Sequence, residues 1–342
     1  MQKIGVLTGG GDCPGINPVL RALAMSAFNK KYRVIGIRDG WSGLIDKDLM
    51  ELKEEDVSAI ISRGGTILGT SRTNPYKQEG AVDKCKKNFK SLGIECLVAI
   101  GGEDTLGVAT KLYKEGLNIV GVPKTIDNDL SATDYTFGFD TSINIVTEAI
   151  DRLHTTSESH HRIMIVEIMG RHAGWIALYA GIAGGADVIL IPEIPIDLKE
   201  VVNTLKAKRK KGKKYGIVAV AEGAMLKDKS AVIQEENLDS FGHVRLGGIG
   251  SILGKKIEEM TGYETRVTVL GHLQRGGAPS ASDRVLGTRF GVAAFKLVEK
   301  NRYGRMVSLS GNEVIDVPLE KAVGKLKTVD PKLYAIQKTF EL

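Results

Sequence analysis

The feature that most constrains the fold is a unit that recurs along the chain: a short apolar run, a glycine-rich turn, then a segment with helical spacing. Ile4-Gly5-Val6-Leu7 runs into Thr8-Gly9-Gly10-Gly11-Asp12-Cys13-Pro14-Gly15, and Asn17-Pro18 opens a helix reaching about Asn29. Cys96 to Ile100 runs into Gly101-Gly102-Glu103-Asp104-Thr105 and a helix over Leu106 to Tyr113. Ile163 to Glu167 leads through Met169-Gly170-Arg171 to Trp175 and a helix ending near Ala180, and Gly216 to Ala221 leads into Glu222-Gly223. Apolar runs that do not alternate suit strands covered on both faces. The repeated unit therefore predicts an α/β protein with a mainly parallel sheet, flanked by helices and joined by right-handed connections. Further strands are expected at Val34–Ile37, Leu117–Val122, Val188–Pro192 and Glu264–Gly271. Helices are expected at Lys84–Leu92, Thr141–His154, Leu198 to about Arg209, Ile252–Met260 and Asp283–Lys300. Asn237 to Gly250 reads as a loop, and residues 301–342 as short strand-like pieces, such as Met306-Val307, with a polar tail. A second αβ series begins near Phe139 with no low-complexity linker before it. That pattern predicts two lobes that exchange segments.

Of the 342 residues, 42% are hydrophobic and 26% charged, the balance of a soluble folded chain. The formal net charge is +6, and part of it lies in Lys206 to Lys214, interrupted only by Ala207 and Gly212. This run reads first as a solvated helix end and loop, and second as a basic effector pocket. Aromatic content of 6% without an interleaved stacking pattern argues against nucleic-acid binding. Cys13, Cys85 and Cys96 have neither metal-ligand nor framework spacing, which fits a reducing, cytoplasmic setting. A strand starting at Ile4 leaves no room for a signal peptide, and no apolar stretch reaches the length of a membrane span.

Ligands of parallel α/β sheets bind beyond the carboxyl ends of the strands. Directly after the expected strand at Leu117–Val122 stands Pro123-Lys124-Thr125-Ile126-Asp127-Asn128-Asp129, with two carboxylates, a hydroxyl, an amide and an ammonium. A polar turn with a helix-capping Asp is the plainer reading of the same residues. The glycines after Leu7 offer backbone N–H groups to a phosphate, or form a purely structural tight turn. Their spacing is neither that of a Walker A loop nor that of the dinucleotide fingerprint. Arg72, among Thr70, Ser71 and Thr73, suits phosphate oxygens or a surface carboxylate.

Taken together, the Gly9–Gly15 loop, the Gly101–Thr105 turn, Pro123–Asp129, Met169-Gly170-Arg171 and Gly271-His272-Leu273-Gln274-Arg275-Gly276-Gly277 resemble the phosphofructokinase family over nearly the whole chain. The resemblance implies two three-layer αβα lobes with the active site in the cleft between them: a phosphoryl-donor lobe of 1–138 with about 275–324, and a fructose-6-phosphate lobe of 139–274 with about 325–342. It also implies transfer of a phosphoryl group to O1 of fructose 6-phosphate with Mg²⁺. Asp127 matches the base that takes the sugar hydroxyl proton. Asp129 matches a second acid near the metal, Thr125 a hydrogen-bonding partner of the phosphates, and Arg171 a cation on the transferring group. Gly10, Gly11, Arg72 and Thr105 match the donor site. Met169, Gly170, Glu222, His272 and Arg275 match the sugar-phosphate site, together with Thr125, Asp127, Asp129 and Arg171. Arg162 and Arg266 match residues that reach the 6-phosphate from a neighbouring subunit, so a homodimer or homotetramer is expected.

Asp104 and Lys124 bear on the donor. ATP-using members typically carry Gly at both positions, whereas members using inorganic diphosphate carry Asp and Lys. A carboxylate at 104 adds bulk and negative charge where a nucleotide α-phosphate would lie, and a mobile ammonium suits compact diphosphate. The resemblance thus points to diphosphate, with an ATP-dependent 6-phosphofructokinase as the alternative and a non-catalytic sugar-phosphate sensor as the alternative from another class. Glu103 stands where many relatives have a metal-associated Asp, and is expected to keep that role because Mg²⁺ retains several waters. Arg21 and Lys211–Lys214 fit the family's effector pocket, but Met25 and His154 replace arginines of regulated relatives. Little regulation by ADP or phosphoenolpyruvate is expected.

Overall fold

Strand and helix alternate from the first residues onward in the computed structural model, which describes residues 2–227 and 248–339. In chain order the elements begin β1 (Lys3–Thr8), α1 (Ile16–Asn29), β2 (Arg33–Ile37), α2 (Trp41–Asp46), β3 (Leu49–Leu52), α3 (Glu54–Val57), α4 (Ala81–Ser91), β4 (Cys96–Gly101), α5 (Glu103–Lys114) and β5 (Ile119–Pro123). They continue with α6 (Phe139–His160), β6 (Ile163–Ile168), α7 (Trp175–Ala183), β7 (Val188–Leu190), α8 (Leu198–Lys210) and β8 (Gly216–Ala221). The last are α9 (Ile249–Thr261), β9 (Thr265–Val269), α10 (Ala281–Glu299), β10 (Arg305–Ser310), β11 (Glu313–Pro318) and α11 (Pro331–Lys338).

Among the described residues the strands form two sheets, one in the order β11-β10-β5-β4-β1-β2-β3 and one in the order β7-β8-β6-β9. In the first, β3 and β11 pair antiparallel at the two edges, and the strands between them are parallel. The second is parallel throughout. Every residue of β4, β6 and β8 is buried; β4 and β8 are unbroken runs of apolar residues and glycine, whereas β6 carries the buried Glu167, whose carboxylate accepts from the N–H groups of Gly248 and Gly250. The chain divides into two compact units. Unit 1 takes the described residues of Met1–Ile126, Leu130–Thr141 and Arg275–Leu326. Unit 2 takes those of Asp127–Asp129, Ser142–Gln274 and Lys327–Leu342. One core gathers Leu7, Ile37, Leu97, Leu106 and Met306, and the other Ile165, Val188, Val218, Val220 and Leu253.

Several expectations change. The α5 helix starts at Glu103, so Glu103, Asp104 and Thr105 form its first turn and not a loop before it. The strand-like piece at Met306-Val307 is β10, which pairs with β11, but the expected polar tail holds α11, capped by Asp330 through a 2.8 Å bond from Lys332 N–H. The long α6 continues to His160, past the His154 expected from periodicity, and α2 and β3 had no distinct sequence signal. Of the expected loop Asn237–Gly250, residues 237–247 lie outside the described residues, while Ile249 and Gly250 open α9. No helix among the described residues is long and apolar enough to cross a membrane.

Candidate active site

In the first sheet β1 has β2 on one side and β4 on the other, so the order reverses beside β1. Such a switch point, at the carboxyl ends of the strands, is where open α/β sheets bind ligands. The loop Gly9–Gly11 leaves β1 there, Gly102 and α5 leave β4, and Lys124 follows β5. Gly9 N–H donates to Ile100 O at 3.0 Å, and Lys124 N–H to Gly101 O at 3.0 Å, which ties the three strand ends together. The segment carrying Arg72 is stitched to the same loop. Gly10 N–H donates to Ser71 O at 3.1 Å, Thr70 Oγ1 to Gly10 O at 2.6 Å, and Ser71 Oγ to Asp39 O at 2.6 Å. Arg72 itself is exposed.

Lys124 is 3% exposed, and its Nζ donates to the Gly11 carbonyl. A Cβ on Gly10, whose φ is +79°, would lie 3.6 Å from that ammonium. The guanidinium of Arg275 lies against Gly11 so closely that any side chain there would overlap it. Two cations therefore press on one glycine loop, an arrangement suited to an anion cradled by backbone N–H groups. Arg275, expected at the sugar phosphate, belongs to unit 1 and sits on this loop. Thr105 is buried, packed against Gly9 and Gly101. Glu103 and Asp104 are exposed in the first turn of α5, where carboxylates complement the helix dipole. One Glu103 oxygen accepts from Gly324 N–H at 3.1 Å. Beneath the loop, burial pushes the Cys13 thiol up to about 12, Lys124 pulling the other way, so this thiol stays protonated.

Unit 2 presents its own row of strand ends. Met169-Gly170-Arg171 follows β6, Glu222-Gly223 follows β8, and the 3₁₀ turn Gly271–Arg275 follows β9. Glu222 N–H donates to Ile168 O at 2.7 Å, and Gly223 N–H to Gly170 O at 3.1 Å. A side chain on Gly223 would strike the Arg171 carbonyl, so glycine alone fits that crossing. Gln274, fully buried, accepts from Met169 N–H at 3.2 Å and donates to Gly271 O at 3.1 Å. It joins two of the motifs and was not singled out from sequence. Asn17 does the same work in unit 1, donating to the carbonyls of Arg63 and Gly64 and accepting from Ile67 N–H at 3.0 Å. Asp127 and Asp129 belong to unit 2 and are partly exposed, with the buried Asn128 between them in a left-handed conformation, φ +51°. Thr125 belongs to unit 1, where its carbonyl accepts from the buried Thr136 hydroxyl at 2.7 Å.

Arg162 and Arg266 are held together, apart from the rest. Both ion-pair with Glu264, Arg162 at 2.8 Å, and Arg162 in particular keeps the Glu264 carboxyl below its ordinary value. They stand at the amino ends of β6 and β9, where Ile163 pairs with Thr265. Met169, Glu222 and His272 lie at the carboxyl ends, a six-residue strand or roughly 20 Å away. The structure does not bring these arginines to their own chain's sugar-site residues.

The basic run is not a simple solvated end. Lys208 and Lys213 turn inward to Asp187 Oδ1 at 2.9 and 2.6 Å, and Ile217 N–H reaches Asp187 Oδ2 at 2.9 Å. The Asp187 side chain is 1% exposed. Burial opposes its charge, but the bonds from Lys213, Lys208 and Ile217 outweigh burial and hold its carboxyl below the ordinary range. Among the described residues no three His, Cys, Asp or Glu side chains gather as a ready-made metal cluster.

Glycine loops at a sheet's switch point, with a buried ammonium and a guanidinium against them, define an α/β protein that handles phosphate-like anions. The chain belongs to the phosphofructokinase family, whose model matches residues 3–298. It is 57% identical over 335 residues to the pyrophosphate–fructose 6-phosphate 1-phosphotransferase of Streptomyces coelicolor, covering 97% of this chain and 98% of that protein. It is 47% identical to the ATP-dependent 6-phosphofructokinase of Corynebacterium efficiens, covering 96% and 95%. Pichia pastoris phosphofructokinase in the T-state superposes with a TM-score of 0.83 at 33% identity; the match takes in 99% of this chain but only 36% of that longer one.

Proposed function

We propose that the protein transfers a phosphoryl group from inorganic diphosphate to O1 of fructose 6-phosphate, giving fructose 1,6-bisphosphate and phosphate, reversibly. The observation that carries the choice of donor is Asp104, exposed in the first turn of α5, with Lys124, buried with its ammonium on the glycine loop, as its companion and not decisive alone. The Lys124 ammonium, expected to be mobile, is instead held on the Gly11 carbonyl, and a short, highly charged donor is served by a cation fixed in that way. A nucleotide would have to lay its α-phosphate beside a carboxylate. The higher identity to a diphosphate-dependent relative than to an ATP-dependent one supports the same reading.

In this mechanism the O1 hydroxyl gives its proton to Asp127 as its oxygen attacks the terminal phosphorus. The bridging P–O bond breaks and phosphate leaves. A loosely bonded transferring group needs alignment and charge stabilisation more than a strong base. Arg171 and the N–H groups around Gly10 and Gly11 stabilise its oxygens, and Thr125 hydrogen-bonds the phosphates. Arg72, Lys124 and Thr105 serve the donor, Thr105 through the loop it packs against. Met169, Gly170, Glu222 and His272 hold the sugar phosphate, while Arg275, against Gly11, adds a cation at the glycine loop. Mg²⁺ fits this donor set, because it binds through one or two carboxylates plus substrate phosphates and needs no all-protein cage. Glu103, with one oxygen tied to Gly324, and Asp129 would hold it. When bound it neutralises charge on the phosphates.

Arg162 and Arg266, a strand length from their own chain's site, serve the 6-phosphate of a neighbouring subunit, so the active form is a homodimer or homotetramer. The test is ³¹P NMR of the purified protein with fructose 6-phosphate, diphosphate and Mg²⁺. Fructose 1,6-bisphosphate and phosphate should appear in equal amounts; failure to form the bisphosphate with diphosphate overturns the proposal.

A further inference from the structure

The C-terminal segment of unit 2 is bonded to the loop that carries both proposed acids. Lys327 N–H donates to Asp129 O at 2.8 Å, and Lys327 Nζ to Asn128 Oδ1 at 2.9 Å. The same ammonium lies over the Trp175 ring, 5.5 Å from its centroid, and Trp175 Nε1–H donates back to Lys327 O at 2.8 Å. Two residues on, Val329 N–H donates to Glu193 Oε1 at 2.9 Å, and that carboxylate also accepts from Gly174 N–H at 3.1 Å, just before α7. The following α11 is pinned by Tyr334, whose hydroxyl donates to Ile189 O at 2.9 Å. The strap Lys327–Val329 thus runs from α7 and β7, rigid parts of the second core, to the Asn128–Asp129 peptide.

What the strap holds is a backbone that needs holding. Asn128 has φ +51°, a conformation that side-chain-bearing residues adopt sparingly and Asn tolerates best. Asn128 is also buried, so its amide oxygen is better bonded to Lys327 than left to compete for water. Lys327 therefore holds both the Asn128 amide and the Asp129 carbonyl, the stretch of backbone from which the Asp127 and Asp129 side chains project.

We propose that Lys327 is a positioning residue for phosphoryl transfer, and that the strap Lys327–Val329 sets the geometry of the Asp127–Asp129 loop from the far end of the chain. This rests on Asp127 being the base. Orientation errors near 1 Å can cost about 100-fold in rate. The experiment compares Lys327→Met, Lys327→Arg, Trp175→Phe, Asn128→Ala, the Lys327→Met/Asn128→Ala double variant and Asp127→Asn as full chains, by initial rates with fructose 6-phosphate, diphosphate and Mg²⁺ and by thermal unfolding. Lys327→Met should lower kcat about 10- to 100-fold while KM for diphosphate stays within about twofold. Lys327→Arg, which keeps both the donor and the stacked cation, should recover most of kcat. Trp175→Phe, which keeps the ring but removes the bond to Lys327 O, should fall between. The double variant should be no slower than the worse single one, because both substitutions break one contact. If Lys327→Met keeps kcat within about twofold of wild type while Asp127→Asn abolishes turnover, the strap proposal fails alone. If Asp127→Asn turns over normally, the base assignment fails. A kcat loss in Lys327→Met that disappears on cooling below a lowered unfolding midpoint reduces the strap to a stability role and overturns the proposal.

Discussion

Lys124 is buried, and its ammonium bonds the Gly11 carbonyl, a partner 113 residues away. Its residue type and its place after an apolar run were legible in the sequence; its burial was not, because that depends on which strand lies alongside. Lys208 and Lys213 make the same point in reverse. A run of lysines reads as solvated, yet both reach Asp187, 21 and 26 residues away. Asp187→Asn leaves two ammoniums facing a neutral amide and should destabilise the protein by about 2–4 kcal/mol, measured by urea unfolding at pH 7. The Asp187 carboxyl is held below its unfolded value, so its contribution is present above the ordinary carboxylate pKa near 3.9 and is lost as pH falls through the folded value. The gap between wild type and Asp187→Asn should therefore be flat above about pH 5 and shrink in more acidic solution. The proposed chemistry was legible because glycines, acids and arginines cluster in short motifs. Gln274, Asn17 and Lys327 were not, each being a lone polar residue whose partner is 105, 50 or 199 positions away.

At the scale of elements, apolar runs marked the buried strands β1, β4, β6 and β8, because burial on both faces leaves few polar positions; the exception, Glu167 in β6, is buried with its carboxylate bonded to backbone N–H groups. The edge strands β3 and β11, partly exposed and polar, carried no such signal. Helix ends moved for a local reason: Glu103 and Asp104 look like turn residues but suit the first turn of α5. Within helices, glycine ordinarily costs stability. Gly291 would ordinarily be improved by Ala, by about 1 kcal/mol. Here a Cβ would sit 2.5 Å from Val19 O and 2.8 Å from Ala22 Cβ, on the face of α10 that packs against α1. Gly291→Ala should instead destabilise by about 1–3 kcal/mol in chemical unfolding. The amino ends of α6 and α10 are joined by Asp283, which accepts from Thr141 N–H at 2.8 Å and Oγ1–H at 2.5 Å. Burial raises its carboxyl to about 6 despite those bonds. A raised acid favours the folded state when protonated, so its benefit is full below about pH 4 and is lost as pH rises through 6. Wild type should accordingly lose roughly 2–3 kcal/mol relative to Asp283→Asn between pH 4 and pH 7. An unchanging difference would contradict the burial of that charge.

For the whole molecule, the parallel α/β architecture followed from the recurring strand–glycine–helix unit and the family from the residues of five short motifs, and the family model spans residues 3–298. The proposed choice of donor turns on single residues, Asp104 in the first turn of α5 and Lys124 just after β5. If Asp104 excludes nucleotides by charge and bulk, Asp104→Gly should raise kcat/KM for ATP by about 10-fold or more while leaving fructose 6-phosphate use intact. The measurement that tests the account most directly is the ratio of kcat/KM for diphosphate to that for ATP in the wild-type protein, with saturating fructose 6-phosphate and Mg²⁺. The account predicts a ratio above about 100, corresponding to at least roughly 3 kcal/mol of discrimination. A ratio below one would contradict it, returning Lys124 and Asp104 to structural roles.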